Sequence, residues 1–319
     1  MQDKKTPIAT LCLFLTAAIW GFAFVAQVQG MEYMGTLTFG GIRFALGTLS
    51  LLPVILLFER GKSSKAEKLL TLKYGSVTGL ILFAASTLQQ YGIELTGSAG
   101  KAGFLTGLYI VLVPLFGVFL GKRPTWLTYV AALFALGGLY FLSVPDGFGA
   151  LAVGDLLLII CAVFWTMHII AVDTYACKVR PLRFSFVQFA TCAVLSLIGM
   201  LIFEQPSVHA IQSGMLPILY GGIGSVGIAY TLQIIGQRHV EPSKAAIVFS
   251  LESLFAAIGG FLLLHEQLGW KGYLGGGLMF VGILLSQLRI APHKSDNGSS
   301  ENTADSTEAQ MEPVFAATE

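Results

Sequence analysis

Ten apolar stretches, each about 20 residues long, follow one another along the chain with only short polar connections between them. A helix of this length crosses the hydrocarbon core of a bilayer. Hydrophobic residues make up 55% of the chain and charged residues 12%, against about 45–50% and about 25% in soluble domains. The apolar runs lack the strand-type alternation of a β-barrel, so an all-α integral membrane protein with ten transmembrane helices is predicted. The stretches cover residues 8–28, 36–58, 73–94, 99–121, 126–144, 154–174, 183–203, 215–237, 243–264 and 271–289.

The distribution of basic residues predicts the orientation of these helices, because Lys and Arg accumulate in cytoplasmic connections. With the N-terminus placed inside, 16 of the 19 basic residues lie in cytoplasmic connections, whereas the outer connections hold only Lys101 and Lys271. The first stretch is longer than the ~7–15-residue core of a cleaved signal, so we interpret it as a retained helix. We therefore expect a multi-pass protein of the cell (inner or plasma) membrane with both termini in the cytoplasm.

The composition changes abruptly at Ala291. Residues 291–319 are rich in Ser, Asp, Glu, Asn and Thr. A segment of this kind cannot bury enough apolar area to offset the entropy lost on ordering. We expect a disordered cytoplasmic tail there.

The two halves of the chain repeat the same rare residues. A shift of 144 places TLQQYG, residues 87–92, on TLQIIG, residues 231–236, and so aligns Gln89 with Gln233. Matched Gln, Trp and Tyr residues at one register indicate a duplicated five-helix unit. Further aligned pairs are Trp126 with Trp270, Tyr129 with Tyr273 and Gly138 with Gly282 at this shift, and Ala17 with Ala162, Trp20 with Trp165, Phe39 with Phe184 and Phe44 with Phe189 at a shift of 145.

Five is an odd number of crossings, so the second copy enters the membrane from the opposite side. We predict two inverted repeats, residues 1–145 and 150–290, followed by the tail at 291–319. Secondary transporters are often built this way, with the substrate site at the repeat interface near the membrane midplane. One sequence packed in two orientations can open to each side in turn, which favours transport by alternating access.

Several segments resemble the ten-helix EamA type of the drug/metabolite transporter superfamily. They are AYTLQIIGQRHVEPSKAAIVFSLESLFAAIGGFLLLHEQLGW at 229–270, AAIWGFAFVAQ at 17–27, RFALG at 43–47 and AGFLTGLYIVLVPLFGVFLGKRPTW at 102–126. The resemblance covers residues 8–289. It implies a basket of ten helices around a cavity lined mainly by helices 1, 3, 4, 6, 8 and 9, with helices 5 and 10 at the periphery. It also implies export of amino acids or similar small metabolites.

Gln89 and Gln233 are the first candidates for substrate binding. A carboxamide offers two donors and an acceptor without a fixed charge, so it can recognise a polar substrate at a modest desolvation cost. Bonds between neighbouring helices are the structural alternative, worth ~0.6 kcal/mol each in membranes. Preservation in both repeats favours substrate contact for this pair. Gln90 aligns with Ile234, so we interpret it as a packing residue.

Two ionisable residues lie near mid-depth, Arg43 in the second stretch and Glu252 in the ninth. A charge there costs at least ~2.5–3.5 kcal/mol on insertion scales, so each should face a cavity or a partner. The functional interpretation is that Arg43 and Glu252 bind a zwitterionic substrate. The structural interpretation is that they form a pair that holds helices together. Arg43 aligns with the neutral Gln188, which favours the structural interpretation for Arg43.

Aromatic and histidine side chains complete the set of candidates. Trp20 and Trp165 lie deep in their helices, where they can stack on a substrate or pack the core. Tyr109, together with Tyr91 and Tyr230, offers hydroxyl groups on helices expected to face the cavity. Proton coupling is assigned to Glu252 and His168, because the reference pKa of histidine is near neutrality, with a hydrogen-bonded packing role as the alternative for His168.

Glycines recur in GYLGGG at 272–277 and ALGG at 135–138. Small residues let helices approach closely. We assign these segments to packing of helices 5 and 10, which are also the candidates for a homodimer contact. The expected partners are the lipid bilayer and a small-molecule substrate, with no nucleic acid.

Catalysis is the main alternative class, and the sequence carries no zinc, nucleophile-elbow or phosphate-loop motif. We therefore expect no enzymatic activity, no cofactor and no metal site. A lipid-moving or channel-like membrane protein could use the same fold. A non-transporting scaffold would not need polar residues matched between two repeats.

Overall fold

The structure, a computed structural model, describes residues 5–96, 99–122, 124–143, 152–264 and 269–287. These residues form helices and short connections, and no strand occurs among them. Helices satisfy their own backbone hydrogen bonds, as a lipid environment demands. The predicted all-α class is therefore confirmed for the described residues, whereas the tail at 291–319 lies outside them.

The helices follow the predicted apolar stretches. In the first half they are α1 (Lys5–Met31), α2 (Thr36–Phe58), α3 (Lys65–Thr96), α4 (Ala99–Gly107), α5 (Tyr109–Phe119) and α6 (Trp126–Ser143). In the second half they are α7 (Val153–Tyr175), α8 (Pro181–Phe203), α9 (Val208–Ser213), α10 (Met215–Leu219), α11 (Tyr230–Gln237), α12 (Pro242–Phe249), α13 (Leu251–Leu264) and α14 (Trp270–Gln287). A 3-10 turn, Ala176–Lys178, follows α7, and a π-helical segment, Tyr220–Ala229, joins α10 to α11.

Seven helical segments are long and apolar enough to cross a membrane. They are α1, α2, α3, α7 with its 3-10 turn, α8, the segment from α10 to α11, and the segment formed by α12 and α13. Shorter apolar helices cover Leu105–Phe119 and Trp126–Phe141, and α14 has 18 residues. A multi-pass membrane protein follows from these lengths, and the full count of ten crossings stays a prediction.

The outer surface of the helices is apolar. Phe58, Phe119 and Phe203 expose 78%, 87% and 77% of their surface. A soluble monomer rarely exposes contiguous patches of such side chains. This surface therefore suits contact with lipid.

Three segments are interrupted near the middle of the molecule. A break at Leu108 separates α4 from α5, and a break at Ser250 separates α12 from α13. The third segment is π-helical over Tyr220–Ala229, a form that is rare and concentrates at functional sites. Irregular backbone at membrane depth is tolerated only where it is buried or lines a cavity.

The two halves pack against each other over most of their length. α2 lies along α8, α3 lies against α7 and α8, and α1 lies against α13. Contacts of α1 with α11, of α2 with the π-helical segment and of α5 with α7 are the counterparts of these contacts under the shift that aligns the two halves. Interfaces between the halves therefore come in related pairs.

α6 and α14, the predicted helices 5 and 10, pack against each other through aligned glycines. A Cβ atom added at Gly138 would lie 2.7 Å from the backbone nitrogen of Met279, and one added at Gly282 would lie 2.8 Å from the carbonyl oxygen of Ala131. Only glycine permits this approach. Pairing of two copies through α6 and α14 stays a prediction.

Candidate functional site

A chamber that is partly open to solvent lies among the interrupted helices. All seven predicted substrate-binding residues line it, from six of the expected helices and, through Arg43, from α2. The lining consists of Trp20, Phe24, Gln27, Arg43, Gln89, Thr106, Tyr109, Trp165, Ile169, Ser225, Tyr230, Gln233, Phe249 and Glu252.

The two aligned glutamines differ in their hydrogen bonding. The Nε2 atom of Gln89 donates to the hydroxyl of Thr106 at 3.4 Å. Neither side-chain nitrogen nor oxygen of Gln233 has a partner, although Gln233 is fully buried. A buried amide without partners is costly, which agrees with the predicted contact between Gln233 and a polar substrate, and this contact stays a prediction.

The two glutamines lie on helices that run in opposite directions. Glu59, which follows the C-terminus of α2, accepts a hydrogen bond from the N-terminus of α8, and Glu204, which follows the C-terminus of α8, accepts one from the N-terminus of α2. These helices are therefore antiparallel. α3 follows α2 after a short loop, and α11 belongs to the segment that follows α8, so α3 and α11 also run in opposite directions. Gln89 lies about 10 Å from the C-terminal end of α3 and Gln233 about 6 Å from that of α11, at ~1.5 Å per residue.

Arg43 is a buried cation that forms no ion pair with any acid in the part of the chain that the structure describes. Its side chain is 4% exposed, and the guanidinium carbon lies 5.2 Å from the ring centre of Phe39 and 5.1 Å from that of Phe44. Its Nε atom has no hydrogen-bond partner, and none of the ion pairs among the described residues includes it. Aromatic faces stabilise a cation but leave its donors free for an anion.

Glu252 supplies the acidic group of the chamber. It lies in the first turn of α13, directly after the break at Ser250. Its Oε1 atom accepts a hydrogen bond of 3.0 Å from the hydroxyl of Tyr109. Tyr109 follows the other break, at Leu108. The two interruptions therefore bring a phenol and a carboxyl together in the middle of the chamber.

Aromatic rings form one wall. The ring centre of Trp20 lies 4.7 Å from that of Tyr230, 5.4 Å from that of Phe249 and 6.2 Å from that of Trp165. The rings of Trp165 and Tyr230 are nearly parallel, at 16°. The indole nitrogen of Trp20 also donates to the carbonyl oxygen of Ser225 at 3.4 Å. The π-helical segment and α1 are thus joined at this wall.

His168 lies behind this wall and does not line the chamber. Its Nε2 atom is 3.2 Å from Oε1 of Gln188, and its ring makes edge contacts with Trp165 and Tyr230. The residue is fully buried. The packing alternative accounts for these contacts, and a role of His168 in proton movement stays a prediction.

The tyrosines named with Tyr109 from the sequence differ in position: Tyr230 lines the chamber, whereas Tyr91 does not. Phe249 was not predicted, but it lies three residues before Glu252, so one helical turn would have indicated it. Nothing in the sequence indicated Gln27. Gln90 does not line the chamber, and its Nε2 atom donates to the carbonyl oxygen of Gln27 at 3.3 Å, in agreement with its predicted packing role.

The chain matches a known protein family over nearly all of its described length. A model of the EamA-like transporter family matches twice, over residues 7–144 and over residues 152–288. The boundary between the two matches falls between α6 and α7.

Similar curated proteins are transporters. An uncharacterized transporter of Archaeoglobus fulgidus is 28% identical over 298 residues, which cover 91% of this chain and 89% of that protein. The uncharacterized transporter YoaV of Bacillus subtilis is 22% identical over 281 residues, which cover 86% and 95%. The aromatic amino acid exporter YddG of Ancylobacter novellus is 32% identical over 173 residues, which cover 50% of this chain and 58% of the exporter.

A solved crystal structure has a similar fold. It superposes with a TM-score of 0.74 over 88% of this chain and 96% of that one, at 23% sequence identity. At this identity the likeness concerns the fold alone.

Proposed function

The chain belongs to the EamA-like transporter family, and on this basis we propose that it is a secondary transporter that exports amino acids with aromatic or large apolar side chains. The observation that carries this proposal is the meeting of an unpaired cation, a carboxyl group and a wall of aromatic rings in one chamber. The proposed location is the cell membrane, with both termini in the cytoplasm.

The charged groups of the chamber suit the two ends of an amino acid. The planar guanidinium of Arg43 offers paired donors that match a carboxylate. Glu252, positioned by Tyr109, can accept hydrogen bonds from an ammonium group. Because neither residue has an ionic partner among the described residues, a zwitterion would neutralise both at once.

The aromatic wall supports a substrate with a planar or bulky side chain. Trp20, Trp165, Tyr230 and Phe249 present ring faces and edges to the chamber, and an aromatic pair contributes ~0.5–1.5 kcal/mol beyond its buried area. Gln89 and Gln233 add uncharged donors and acceptors. The aromatic amino acid exporter among the relatives agrees with this substrate class.

Alternating access is the proposed mechanism, and the arrangement of the halves supports it. The family model matches each half once. α2 and α8, which coincide under the shift of 145, run in opposite directions. Inverted repeats of this kind provide two equivalent packings, one open to each side. We therefore propose that residues 1–145 and 150–290 exchange conformations as the chamber opens to one face and then the other.

Proton exchange is the proposed driving force. The carboxyl of Glu252 can hold either a proton or the ammonium of the substrate, and the two exclude each other. Release of the substrate outside would allow a proton to bind Glu252 and return with the empty carrier. His168 is not needed for this cycle, because it lies outside the chamber lining.

The test is flux of labelled phenylalanine in liposomes that contain the purified protein, with protein-free liposomes as the control. Unlabelled tryptophan is expected to compete. Phenethylamine, which lacks the carboxylate, and phenylpropionate, which lacks the ammonium, are expected to compete weakly, because each leaves Arg43 or Glu252 without its partner. Equal competition by phenethylamine would contradict the role of Arg43, and absence of flux would contradict the proposed function.

A further inference from the structure

A carboxylate at the end of α8 holds the beginning of α2. Glu204 directly follows α8. Its Oε1 atom accepts from the backbone N–H of Leu37 at 2.8 Å, and its Oε2 atom accepts from the backbone N–H of Thr38 at 2.7 Å and from the Thr38 hydroxyl at 2.6 Å. The first N–H groups of a helix have no partner within the helix and form its positive end. Glu204 provides these N–H groups with hydrogen-bond acceptors and places a negative charge at the positive end of α2.

The opposite end of the same helix pair carries a copy of this contact. Glu59 directly follows α2. It accepts from the backbone N–H of Leu182 at 3.0 Å and of Arg183 at 3.3 Å, and Nε of Arg183 lies 3.6 Å from its Oε2 atom. These residues form the first turn of α8.

The two contacts, which we call the clamps, are related by the repeat. The shift of 145 places Glu59 on Glu204, and it places Leu37 and Thr38 on Leu182 and Arg183. Both clamps are closed in the same structure. α2 and α8 are therefore held together at both faces of the membrane at once.

A different kind of contact joins α5 to α7. Lys122, after the end of α5, forms an ion pair with Asp173 near the end of α7, and their side chains are 35% and 22% exposed. Ion pairs in contact with water contribute little to stability, whereas hydrogen bonds from backbone groups to a carboxylate are among the stronger ones. The residues that align with this ion pair are Glu266 and Val28, which cannot form the same pair. The ion pair of the α5–α7 contact is thus weaker than the clamps, and it is not repeated at the α1–α13 contact.

We propose that Glu59 and Glu204 are positioning residues that keep α2 and α8 together in every access state, so that the chamber opens by movement at the α5–α7 contact and at the related α1–α13 contact. The inference rests on the proposed function. Separation of α2 from α8 at either face would break a clamp and leave the N–H groups of a helix without partners. Arg43, on α2, therefore keeps its position relative to α8 while other helices move.

The structure provides a site for a cross-link between α2 and α8. A Cβ atom added at Gly40 would lie 3.9 Å from the Cβ of Ser196, within the range of about 3.5–4.5 Å that a disulfide requires. The variant Gly40→Cys/Ser196→Cys should therefore oxidise without distortion. Its counterpart is Lys122→Cys/Asp173→Cys, joined by a short bis-methanethiosulfonate reagent, which forms a disulfide with each cysteine, loses a sulfinate at each end and is removed by reduction. Both are made in a protein whose four native cysteines have been replaced.

Phenylalanine flux in liposomes is measured before and after each cross-link, and again after reduction. The α2–α8 disulfide is expected to leave the flux at the level of the reduced protein. The α5–α7 cross-link is expected to stop the flux, and reduction should restore it. Loss of flux in the oxidised α2–α8 variant, regained on reduction, would overturn the proposal, and so would unchanged flux in the α5–α7 variant.

Failure of the proposed function is recognised separately. If the reduced proteins transport no amino acid, the proposed function is wrong, and the clamps are then judged by cross-linking alone. A clamped pair should oxidise completely and at one rate in membranes, whereas the α5–α7 pair should react with both a short and a long rigid reagent. Incomplete oxidation of the α2–α8 pair, or capture of the α5–α7 pair by the short reagent only, would contradict the proposal.

Discussion

The charge of Arg43 lies at a depth where it costs free energy, and this cost favours a functional role over a structural one. A cation at mid-depth costs at least ~2.5–3.5 kcal/mol on insertion scales, and its contacts with Phe39 and Phe44 offset only part of that. None of the ion pairs among the described residues provides the acidic partner that a structural role of Arg43 would require. Under the proposed function, the carboxylate of the substrate would be that partner, and only while substrate is bound.

Replacement of Arg43 separates binding from stability. Arg43→Gln should weaken phenylalanine binding by about 10- to 150-fold, since a hydrogen bond to a charged group contributes ~1.5–3 kcal/mol. Its melting temperature in detergent should be equal to or above that of the wild type, because an unpaired buried charge is removed. Arg43→Lys keeps the charge but loses the planar guanidinium group, so its affinity for phenylalanine should lie between those of the wild type and Arg43→Gln. A lower melting temperature together with unchanged affinity would favour the structural interpretation.

Gln233 and Gln237 provide a matched pair on one helix. Gln233 lines the chamber without a partner. Gln237 is not among the lining residues, and its Nε2 atom donates to the carbonyl oxygen of Ile169 at 3.1 Å. Gln233→Ala should weaken substrate binding about 2- to 10-fold, the loss of one neutral hydrogen bond. Gln237→Ala should instead lower the melting temperature and leave the affinity unchanged. Equal affinities for both variants would assign Gln233 to packing, and the same comparison applies to Gln89 and Gln90.

The residues of the chamber were largely predictable because rare polar and aromatic side chains stand out in an apolar sequence. Gln89 and Gln233 could be recognised by type and by alignment of the halves, and Glu252 by its charge near mid-depth. Gln27 and Ser225 could not, since their place in the lining depends on how the helices turn. The clamp residues Glu59 and Glu204 also align at the shift of 145, but acidic residues next to membrane helices are common, and only the structure gives their partners.

The interruptions are the elements that the sequence did not predict. The apolar stretches at 99–121 and 243–264 run through Leu108 and Ser250 with no proline at either position, so continuous helices are predicted there. The hydrogen bond between Tyr109 and Glu252 lies directly after both breaks. Discontinuous helices concentrate at transporter binding sites, in agreement with the position of the chamber.

The contact between α6 and α14 depends on one glycine and not on its neighbour. An alanine at position 138 would place Cβ 2.7 Å from the Cγ atom of Met279, whereas nothing lies within 4 Å of a Cβ at position 137. Gly138→Ala should therefore cost ~1–3 kcal/mol, the usual cost of overpacking, and lower the melting temperature. Gly137→Ala is the control and should leave it unchanged. Equal effects would mean that α6 and α14 are not closely packed.

The clamps and the α5–α7 ion pair should differ in strength. Glu204→Gln replaces a carboxylate oxygen that accepts backbone N–H bonds, at a cost of ~1.5–3 kcal/mol. Asp173→Asn removes a partly exposed ion pair worth ~0.2–1 kcal/mol. Thermal melting in detergent should show the larger decrease for Glu204→Gln, with Glu59→Gln close to it. A larger decrease for Asp173→Asn would reverse the assignment of fixed and moving contacts.

At the scale of the whole molecule, the proposed mechanism depends on the packing of the two halves. Contacts between the halves occur in pairs related by the repeat, and α2 and α8 run in opposite directions. The chamber is lined by residues of both halves, among them the aligned Gln89 and Gln233. A molecule with this arrangement can present the same binding residues to either side.

Counterflow of labelled phenylalanine tests the central claim most directly. Liposomes loaded with unlabelled phenylalanine are diluted into a trace of labelled phenylalanine, and label inside is followed with time. A carrier that exposes one chamber alternately should accumulate label transiently above its equilibrium level, and Arg43→Gln should reduce this peak at limiting substrate. Label that rises only to equilibrium would indicate a channel, and no entry of label would contradict transport of this substrate by the protein.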